Sequence, residues 1–474
     1  MKNRVIFLFF LLCILKVHSC TIVIGYKNGK VLVGNNEDWY KSNAKYWYEV
    51  PKNSEEKYKS FFFGFKGDGK FAQGGMNEVG LMFDGTYVSR IEIDRDNMRR
   101  HKLKAAPVHL FKNILKECKT VGEAAKRIDK YFIPYIRTAQ VLIVDAAGGY
   151  LIVKANGTTD IGHLKEGEFK IITNFHLENL NTKNYTCYRY DIAKGILKTH
   201  FENTIVEFEE ILSKTSQNYP AATVYSNIYD LKEKSTKLYY NSNFNEKITI
   251  SFRDSLHEKP KFLEGEIFKM RMIDVLTKTY RKKRLKGVME KFEMEYSKAK
   301  PLYQVDVQQL VDFSEYVFLK NKNLDYEEII SFIQRRFPDN DTSELAVGIS
   351  LLRKGEIDTA LIHFKKALDI NPENYWANRL YKDYSGENNC TKWFALQGHK
   401  NARSVVLFGN FNEWKGYTNV CKKIDGVWKT CVKSNERVLK YKFKVDGKWV
   451  EDPKNPSSEK LSNGFRVSKI VLKK

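Results

Sequence analysis

A cysteine at position 20 stands directly behind an apolar leader and opens the stretch C-T-I-V-I-G-Y-K-N-G-K-V-L-V-G-N-N-E-D-W. Cleavage between Ser19 and Cys20 would place a thiol and a titratable α-amine on one Cα, so that a single residue supplies nucleophile and base. An α-amine titrates near about 7.7–8 and can accept the thiol proton close to neutral pH. The thiolate would attack an amide carbonyl, form an acyl-enzyme, and depend on nearby donors to stabilise the tetrahedral oxyanion. The competing bland reading is an inert residue at a signal junction.

The elements around Cys20 decide between the two. Lys2 and Arg4 precede the apolar run Val5–Leu15, and Val17 and Ser19 sit three and one residues before the cut, the pattern of a secretion signal. A membrane-spanning helix needs about 20 apolar residues, more than this run offers, and no second span follows. The chain is therefore expected to be exported, periplasmic or secreted. Val17-His18-Ser19-Cys20 also resembles a lipoprotein cleavage site, which would instead lipidate Cys20 and tether the protein to a membrane.

Downstream, Ile22–Ile24 and Val31–Val33 flank Asn28-Gly29, the strongest short hairpin signal. A two-residue loop there sets Lys27 opposite Lys30, Thr21 opposite Asn36 and Cys20 opposite Glu37. The position vacated before Cys20 then faces Asp38, which would hold and orient the new amine.

A length of 474 residues allows two to four domains, and 42% apolar content suits folded domains rather than disorder. The net charge is +23, or +20 once Lys2, Arg4 and Lys16 leave with the leader, which favours acidic surfaces, anionic polymers or membrane headgroups as neighbours. It does not make a specific nucleic-acid partner, and the basic run Tyr280-Arg281-Lys282-Lys283-Arg284-Leu285-Lys286 reads as a solvated helical face. Seven cysteines, with no C-x-x-C pair and no H-E-x-x-H, give no sign of zinc, and no cofactor is implied. Cys118 and Cys187 read as ordinary packed cysteines.

The segment from Cys20 to Phe252 resembles the N-terminal-nucleophile cysteine hydrolases, the group of choloylglycine hydrolase, penicillin V acylase and the penicillin-type acyltransferases. The resemblance rests on five pieces in order: Cys20-Thr21 with Gly34-Asn35-Asn36-Glu37-Asp38-Trp39; Gly75-Met76-Asn77-Glu78-Val79-Gly80-Leu81; Val141–Gly148; Ile172-Thr173-Asn174-Phe175; and Tyr188-Arg189-Tyr190. It implies Cys20 as nucleophile, Asp38 binding its amine, the Tyr87 backbone N–H and the Asn174 side-chain amide facing the oxyanion, and Arg189 supporting the thiolate and acyl-enzyme. The bile-salt and penicillin V enzymes carry an arginine where this chain has Asn35, and Arg189 follows Asn174 by only fifteen residues. The first departure favours the acyltransferase-like branch, and the second implies that a long loop of the bile-salt enzymes is missing here. The implied fold is an αββα four-layer sandwich, with helices expected near 105–132 and 188–214 and closing strands at Thr223–Asp230 and Lys247–Phe252.

Residues 261–304 read as a charged helical connector. From 305 to 386, Pro338 and Pro372 lie 34 residues apart, the period of tetratricopeptide repeats. Gly348, Ala360, Phe364, Ala367 and Pro372 fit the second repeat, a spacer or a site for a protein partner.

Residues 387–474 read as all-β, with hairpin signals at Asp425-Gly426 and Asp446-Gly447. Phe408-Gly409-Asn410-Phe411-Asn412-Glu413-Trp414 and Tyr441–Trp449 with Asp452-Pro453 are similar to the glycogen-binding domain of AMP-activated kinase β subunits. That resemblance implies an immunoglobulin-like sandwich in which Trp414 and Trp449 stack on sugar rings and Lys442 bonds hydroxyls, as suits the apolar face of a pyranose. Trp428 reads as core. Cys421 and Cys431 bracket the Asp425-Gly426 turn and are expected to form a cross-strand disulfide.

The reading is thus an α+β multidomain protein: signal peptide 1–19, N-terminal-nucleophile hydrolase domain 20–260, connector 261–304, repeat-like helices 305–386, and carbohydrate-binding-like sandwich 387–474. Its expected activity is hydrolysis or acyl transfer at linear, non-peptide amide C–N bonds, on a small-molecule acyl amide beside an α-glucan or other polysaccharide. The alternative is a lipid-tethered binding protein with a silent hydrolase domain.

Overall fold

The computed structural model describes residues 20–39, 42–66, 71–91, 101–102, 107–133, 136–182, 185, 187–218, 221–253, 259–320, 322–385, 390–412, 414, 419–424, 426–434, 436–461 and 465–472. The leader 1–19, Glu413 and Asp425 lie outside the described residues.

The first part runs β1 (Thr21–Lys27), β2 (Lys30–Trp39), β3 (Ala44–Glu49), β4 (Ser60–Phe65), β5 (Gly74–Asn77), β6 (Met82–Tyr87), β7 (His101–Lys102), α1 (Pro107–Glu117), α2 (Val121–Ile128), β8 (Tyr131–Phe132), β9 (Ala139–Val144), β10 (Gly149–Val153), β11 (Thr159–His163) and β12 (Glu168–Ile172). It continues with α3 (Glu178–Thr182), α4 (Tyr188–Thr199), α5 (Ile205–Lys214), β13 (Ala222–Asp230), β14 (Ser235–Tyr240), β15 (Asn243–Ser251) and β16 (Lys261–Phe262). These strands make a six-stranded sheet, β12-β1-β2-β13-β14-β15, and an eight-stranded sheet, β11-β10-β9-β6-β5-β4-β3-β16.

Alternating side chains put each sheet between two apolar layers. Ile22, Ile24, Val33 and Tyr225 from one sheet meet Phe61, Phe63, Met82 and Leu142 from the other in a shared core. On the opposite face of the six-stranded sheet, Val23, Leu32 and Ile228 pack under Ala193 and Leu197 of α4 and Phe208 and Leu212 of α5. The eight-stranded sheet turns Trp47, Phe62, Phe83 and Ile143 toward α1 and α2. Gly34 permits the close seating of α5, since a Cβ there would meet the Phe208 ring at 2.9 Å. The shared core runs past residue 260: β16 pairs with β3, Leu263 and Phe268 are buried in it, and Phe268 stacks on Tyr240 at 5.7 Å.

Beyond lie β17 (Met270–Arg271), the long helix α6 (Met272–Tyr296), β18 (Tyr303–Gln304), α7 (Val307–Leu319), α8 (Asn323–Arg336), α9 (Asp341–Lys354), α10 (Ile357–Ile370) and α11 (Tyr375–Ser385). Arg281, Lys282, Lys283 and Arg284 are exposed on α6, which breaks at Arg284 with φ +57°. Helix α9 lies so close to α10 that a Cβ on Gly348 would sit 2.4 Å from the Phe364 ring. Tyr375 and Trp376 of α11 enclose the Tyr188 ring of α4 at centroid distances of 5.1 and 4.9 Å. At the other end of α11, the Val420 N–H donates to the Tyr384 hydroxyl at 3.0 Å. No described helix is long and apolar enough to cross a membrane.

The last part comprises β19 (Lys392–Leu396), β20 (Val405–Gly409), β21 (Lys422–Ile424), β22 (Val427–Val432), β23 (Val438–Val445), β24 (Lys448–Val450), β25 (Ser458–Lys460) and β26 (Arg466–Val471). A three-stranded sheet, β19-β22-β21, faces the five strands built on β20-β23-β26-β25 with β24. Trp428 is buried in the core between them, as expected. Val406, Phe408 and Val420 point away from that core and pack on Ile349, Leu352 and Leu380 of the helices.

The expected Cys421–Cys431 disulfide does not form: Cys431 is bonded to Cys390, and Cys421 is free and buried. The register explains why. β21 pairs with β22 only over Lys422–Ile424; just before it, Val420 bridges to Val406 and the Cys421 N–H donates to the Val405 carbonyl, both on β20 of the facing sheet. Cys421 therefore enters the apolar core, while Cys431 faces outward toward the start of β19.

Candidate active site

Asn28 and Gly29 both adopt left-handed backbone, φ +56° and +64°, as a type I′ hairpin requires. The pairing runs from Lys27↔Lys30 to Thr21↔Asn36. Parity then sorts the side chains at the open end. Cys20, Asn35 and Glu37 share the face of Ile22 and Val33 and point between the sheets. Thr21, Asn36 and Asp38 point to the side of α4 and α5.

On that helix side, the Thr223 hydroxyl on β13 donates to Asp38 Oδ1 at 2.5 Å. Ser226 donates to Asn36 Oδ1 at 2.6 Å, while Asn36 Nδ2 donates to the Leu212 carbonyl at 2.8 Å. A bulge between Thr223 and Tyr225 sets this register and turns Tyr225 toward Glu37.

Arg189, in the first turn of α4 and 1% exposed, ties the separate segments together. Its Nη1 donates to the Cys20 carbonyl at 2.8 Å and to Thr21 Oγ1 at 3.1 Å, and lies 3.9 Å from Asp38 Oδ2. Its Nη2 donates to Asn174 Oδ1 at 2.9 Å. Asn174 Nδ2 in turn donates to the Tyr87 carbonyl at 2.7 Å. Cys20, Asp38, Tyr87, Asn174 and Arg189, spread over 170 residues of sequence, thus meet in one polar network. Arg189 grips the main chain of Cys20 rather than its sulfur.

Sequence reasoning missed the groups that hold this network. Thr86 Oγ1 and Gln140 Nε2 both donate to the Thr173 carbonyl, at 3.2 and 2.8 Å, and Gln140 also reaches the Phe175 carbonyl at 3.2 Å. The available signal was one amide inside the otherwise apolar run of β9. Also missed was a carboxyl cluster beneath the thiol. Cys20 Sγ lies 3.6 Å from Glu37 Oε2. Asp84 of β6 accepts from Asn35 Nδ2 at 3.0 Å and from the Gly85 N–H at 2.8 Å. Burial, then the charges of Glu37 and Asp38, pushes the Cys20 thiol well above its usual range. Burial first, then Asp84 and Asp38, raises the Glu37 carboxyl, and burial pushes Asp84 up to about 8.

In the sandwich, the three residues expected to meet sugar also gather. Trp414 and Trp449 both pack edge-on to Phe465, at 6.4 and 5.2 Å, and the Lys442 ammonium lies 4.4 Å from the same ring. Lys442 also donates to the Arg466 carbonyl at 2.8 Å and pairs with Glu451 at 3.3 Å. Trp414 is held at φ +59°, a conformation that a bulky side chain rarely adopts outside a constrained turn. Among the described residues no cluster of His, Cys, Asp or Glu is arranged to hold a metal ion.

Two sequence families match this chain. Residues 25–252 match the family described as acyl-coenzyme A:6-aminopenicillanic acid acyl-transferase. Residues 394–471 match the glycogen recognition site of AMP-activated protein kinase. No curated protein matches the chain. Among solved structures, penicillin V acylase from Agrobacterium tumefaciens is 19% identical with a TM-score of 0.39, covering 50% of this chain and 86% of that one. A variant of conjugated bile acid hydrolase from Clostridium perfringens is 17% identical with a TM-score of 0.39, covering 51% and 96%. The Caenorhabditis elegans ortholog of N-acylethanolamine-hydrolyzing acid amidase is 16% identical with a TM-score of 0.34, covering 45% and 93%. All of these neighbours are enzymes named for hydrolysis or acyl transfer. The chain thus joins, through the helices between them, a segment matching an acyl-transferase family and a segment matching a glycogen-recognition family.

Proposed function

We propose that this protein is an exported amidohydrolase or acyltransferase that opens linear, non-peptide amide bonds through an acyl-enzyme on Cys20. The observation that carries the reading is the Arg189 bridge, which joins the Cys20 carbonyl, Thr21, Asp38 and Asn174 at the open end of β1. Removal of residues 1–19 would free the Cys20 amine beside Asp38. The amine takes the thiol proton, sulfur attacks the carbonyl carbon, and the returned proton leaves with the amine product. The Tyr87 N–H and the Asn174 amide would serve the oxyanion, the latter by turning from the Tyr87 carbonyl when substrate binds. Water as acceptor then gives hydrolysis and an amine gives transfer. The arrangement of helices outside two facing sheets supports a four-layer αββα sandwich, and the close α9–α10 pair supports a degenerate helical repeat.

Lipidation of Cys20 fits this environment poorly, since a diacylglyceryl group on the inward sulfur would lie between the sheets. The deciding experiment joins two measurements. Intact mass should show a chain beginning at an unmodified Cys20. A panel of acyl amides, including penicillin V and bile-acid conjugates, should be turned over by the mature protein and by none of the Cys20→Ala variant. Equal turnover by the variant would end the proposal. The Trp414–Phe465–Trp449 cluster with Lys442 supports α-glucan binding. Replacing both tryptophans by alanine should abolish retention on insoluble α-glucan, and unchanged retention would remove the sugar claim.

A further inference from the structure

We propose that Glu37 is the proton partner of the Cys20 thiol, and that the buried carboxyl cluster around it sets the pH range in which this nucleophile ionises. The inference rests on the reading of Cys20 as nucleophile and adds to it a residue that touches the reacting sulfur.

Glu37 is placed there by the hairpin: it shares the inward face of β2 opposite Cys20, with Sγ and Oε2 3.6 Å apart, within reach of a thiol hydrogen bond. Cys20 and Glu37 are 5% and 3% exposed, so water does not screen the pair. The groups facing Glu37 come from every neighbouring strand. Cys20 stands at the start of β1 and Asn35 on Glu37's own strand, while the neighbouring Asp38 turns to the helix side and acts only through its charge. Asp84 projects from β6 across the gap, while Tyr225 and Tyr229 project from β13. Arg189 lies beyond β1 and β2 on the helix side, engaged with main chain and Asn174. Among the described residues, neither Glu37 nor Asp84 makes an ion pair with a cation.

Two uncompensated carboxylates at such a site are costly, and one or both are expected to carry a proton. The surrounding acceptors point the same way. Asn35 Oδ1 and Asn227 Oδ1 are buried without a donor, and a neutral carboxyl supplies one, whereas a carboxylate does not. Burial holds the carboxyls of both Glu37 and Asp84 above the usual range, Asp84 at about 8.

The protonation state then decides what the thiol meets. With Glu37 neutral, the thiol proton passes to the amine and the Glu37 O–H donates to the sulfur as the C–S bond forms. With Glu37 ionised, the thiol donates to the carboxylate, and a thiolate would sit beside a second negative charge. Reactivity is therefore present below the cluster's titration and lost as pH rises through it.

The test reads thiol ionisation independently of turnover. Full-length chain is expressed, the processed protein is recovered, and the iodoacetamide alkylation rate of the Cys20 peptide is followed by mass spectrometry from pH 5 to 10. Glu37→Gln, which mimics the neutral carboxyl, should alkylate like wild type below the cluster's titration and roughly tenfold faster above it, the change that one unit in thiol pKa gives. Asp84→Asn, one step further away, should move the profile in the same direction by less. With a turned-over amide, the alkaline limb of kcat/KM should move upward in Glu37→Gln. Wild-type alkylation profiles in both variants, or shifts in the opposite direction, would overturn the proposal. Absence of amide turnover with shifted profiles would instead count against the enzyme reading alone.

Discussion

Replacing Arg189 by methionine keeps the apolar stem of the side chain and removes its guanidinium. Three hydrogen bonds vanish with it, to the Cys20 carbonyl, Thr21 Oγ1 and Asn174 Oδ1, together with the charge 3.9 Å from Asp38. Hydrogen bonds from a charged donor contribute about 1.5–3 kcal/mol each, net of the water they replace. Breaking a buried ion pair from one side typically costs about 3–5 kcal/mol. Both Arg189 and Asp38 are almost fully buried, with side-chain exposures of 2% and 0%, so solvent offers little relief. The expected loss is about 3–5 kcal/mol, read as a lower urea midpoint at unchanged slope. Arg189→Lys should recover only part of it, because one ammonium cannot span the Cys20 carbonyl and the Asn174 amide together. Adding Asp38→Asn to Arg189→Met should cost less than the sum of the single changes, a coupling of about 1–3 kcal/mol. A loss below about 1 kcal/mol for Arg189→Met, or strict additivity with Asp38→Asn, would refute the claim that this guanidinium holds the site together.

A second charged knot lies away from the site. Glu49 accepts from Lys112 at 2.7 Å, Lys116 at 2.6 Å and Trp47 Nε1 at 2.9 Å. Against the desolvation that opposes it, these donors hold its carboxyl down at about 2. A depressed carboxyl stabilises the fold above its unfolded value and loses that contribution as pH falls toward 2. About 3 kcal/mol should therefore disappear between pH 5 and 2 in the wild type and be absent from Glu49→Gln, as tracked by thermal unfolding across that range. In the sandwich, the Cys390–Cys431 bond closes a loop with a sequence separation of 41. By chain entropy its removal in Cys390→Ala should cost that module about 4 kcal/mol. Dithiothreitol should lower the stability of wild type and leave the variant unchanged.

The hairpin was legible because Asn28-Gly29 fixes both turn type and register, and two-residue periodicity then carries Cys20 to Glu37 without further information. The meeting of Asn174, Tyr87 and Arg189 was not legible from pattern. Each lies on a different segment, and only family resemblance named them together. The carboxyl cluster stayed hidden for a physical reason. Glu37 and Asp84 are charges in strands, which ordinarily mark a solvent face, and nothing local shows that both strands are covered on each side. Symmetry misled at Cys421: bracketing a turn almost symmetrically is not the same as facing across it, and at Cys421 the chain pairs with β20 rather than β22. The charged segment after 260 looked like a plain connector, yet Leu263 and Phe268 complete the core between the sheets. Two apolar residues in a run of charges carry too little periodicity to announce that.

The position of α11 has a practical consequence for dissecting the protein. Its first turn covers the Tyr188 ring, one residue before Arg189, and its last turn receives a hydrogen bond from the sandwich at Val420. A fragment ended near residue 260 would leave that tyrosine bare in water and release the start of the helix that presents the guanidinium. The segment least suspected of chemistry is the buttress behind it, so fragments cut at compositional seams sever a support that the intact polypeptide supplies from its far end.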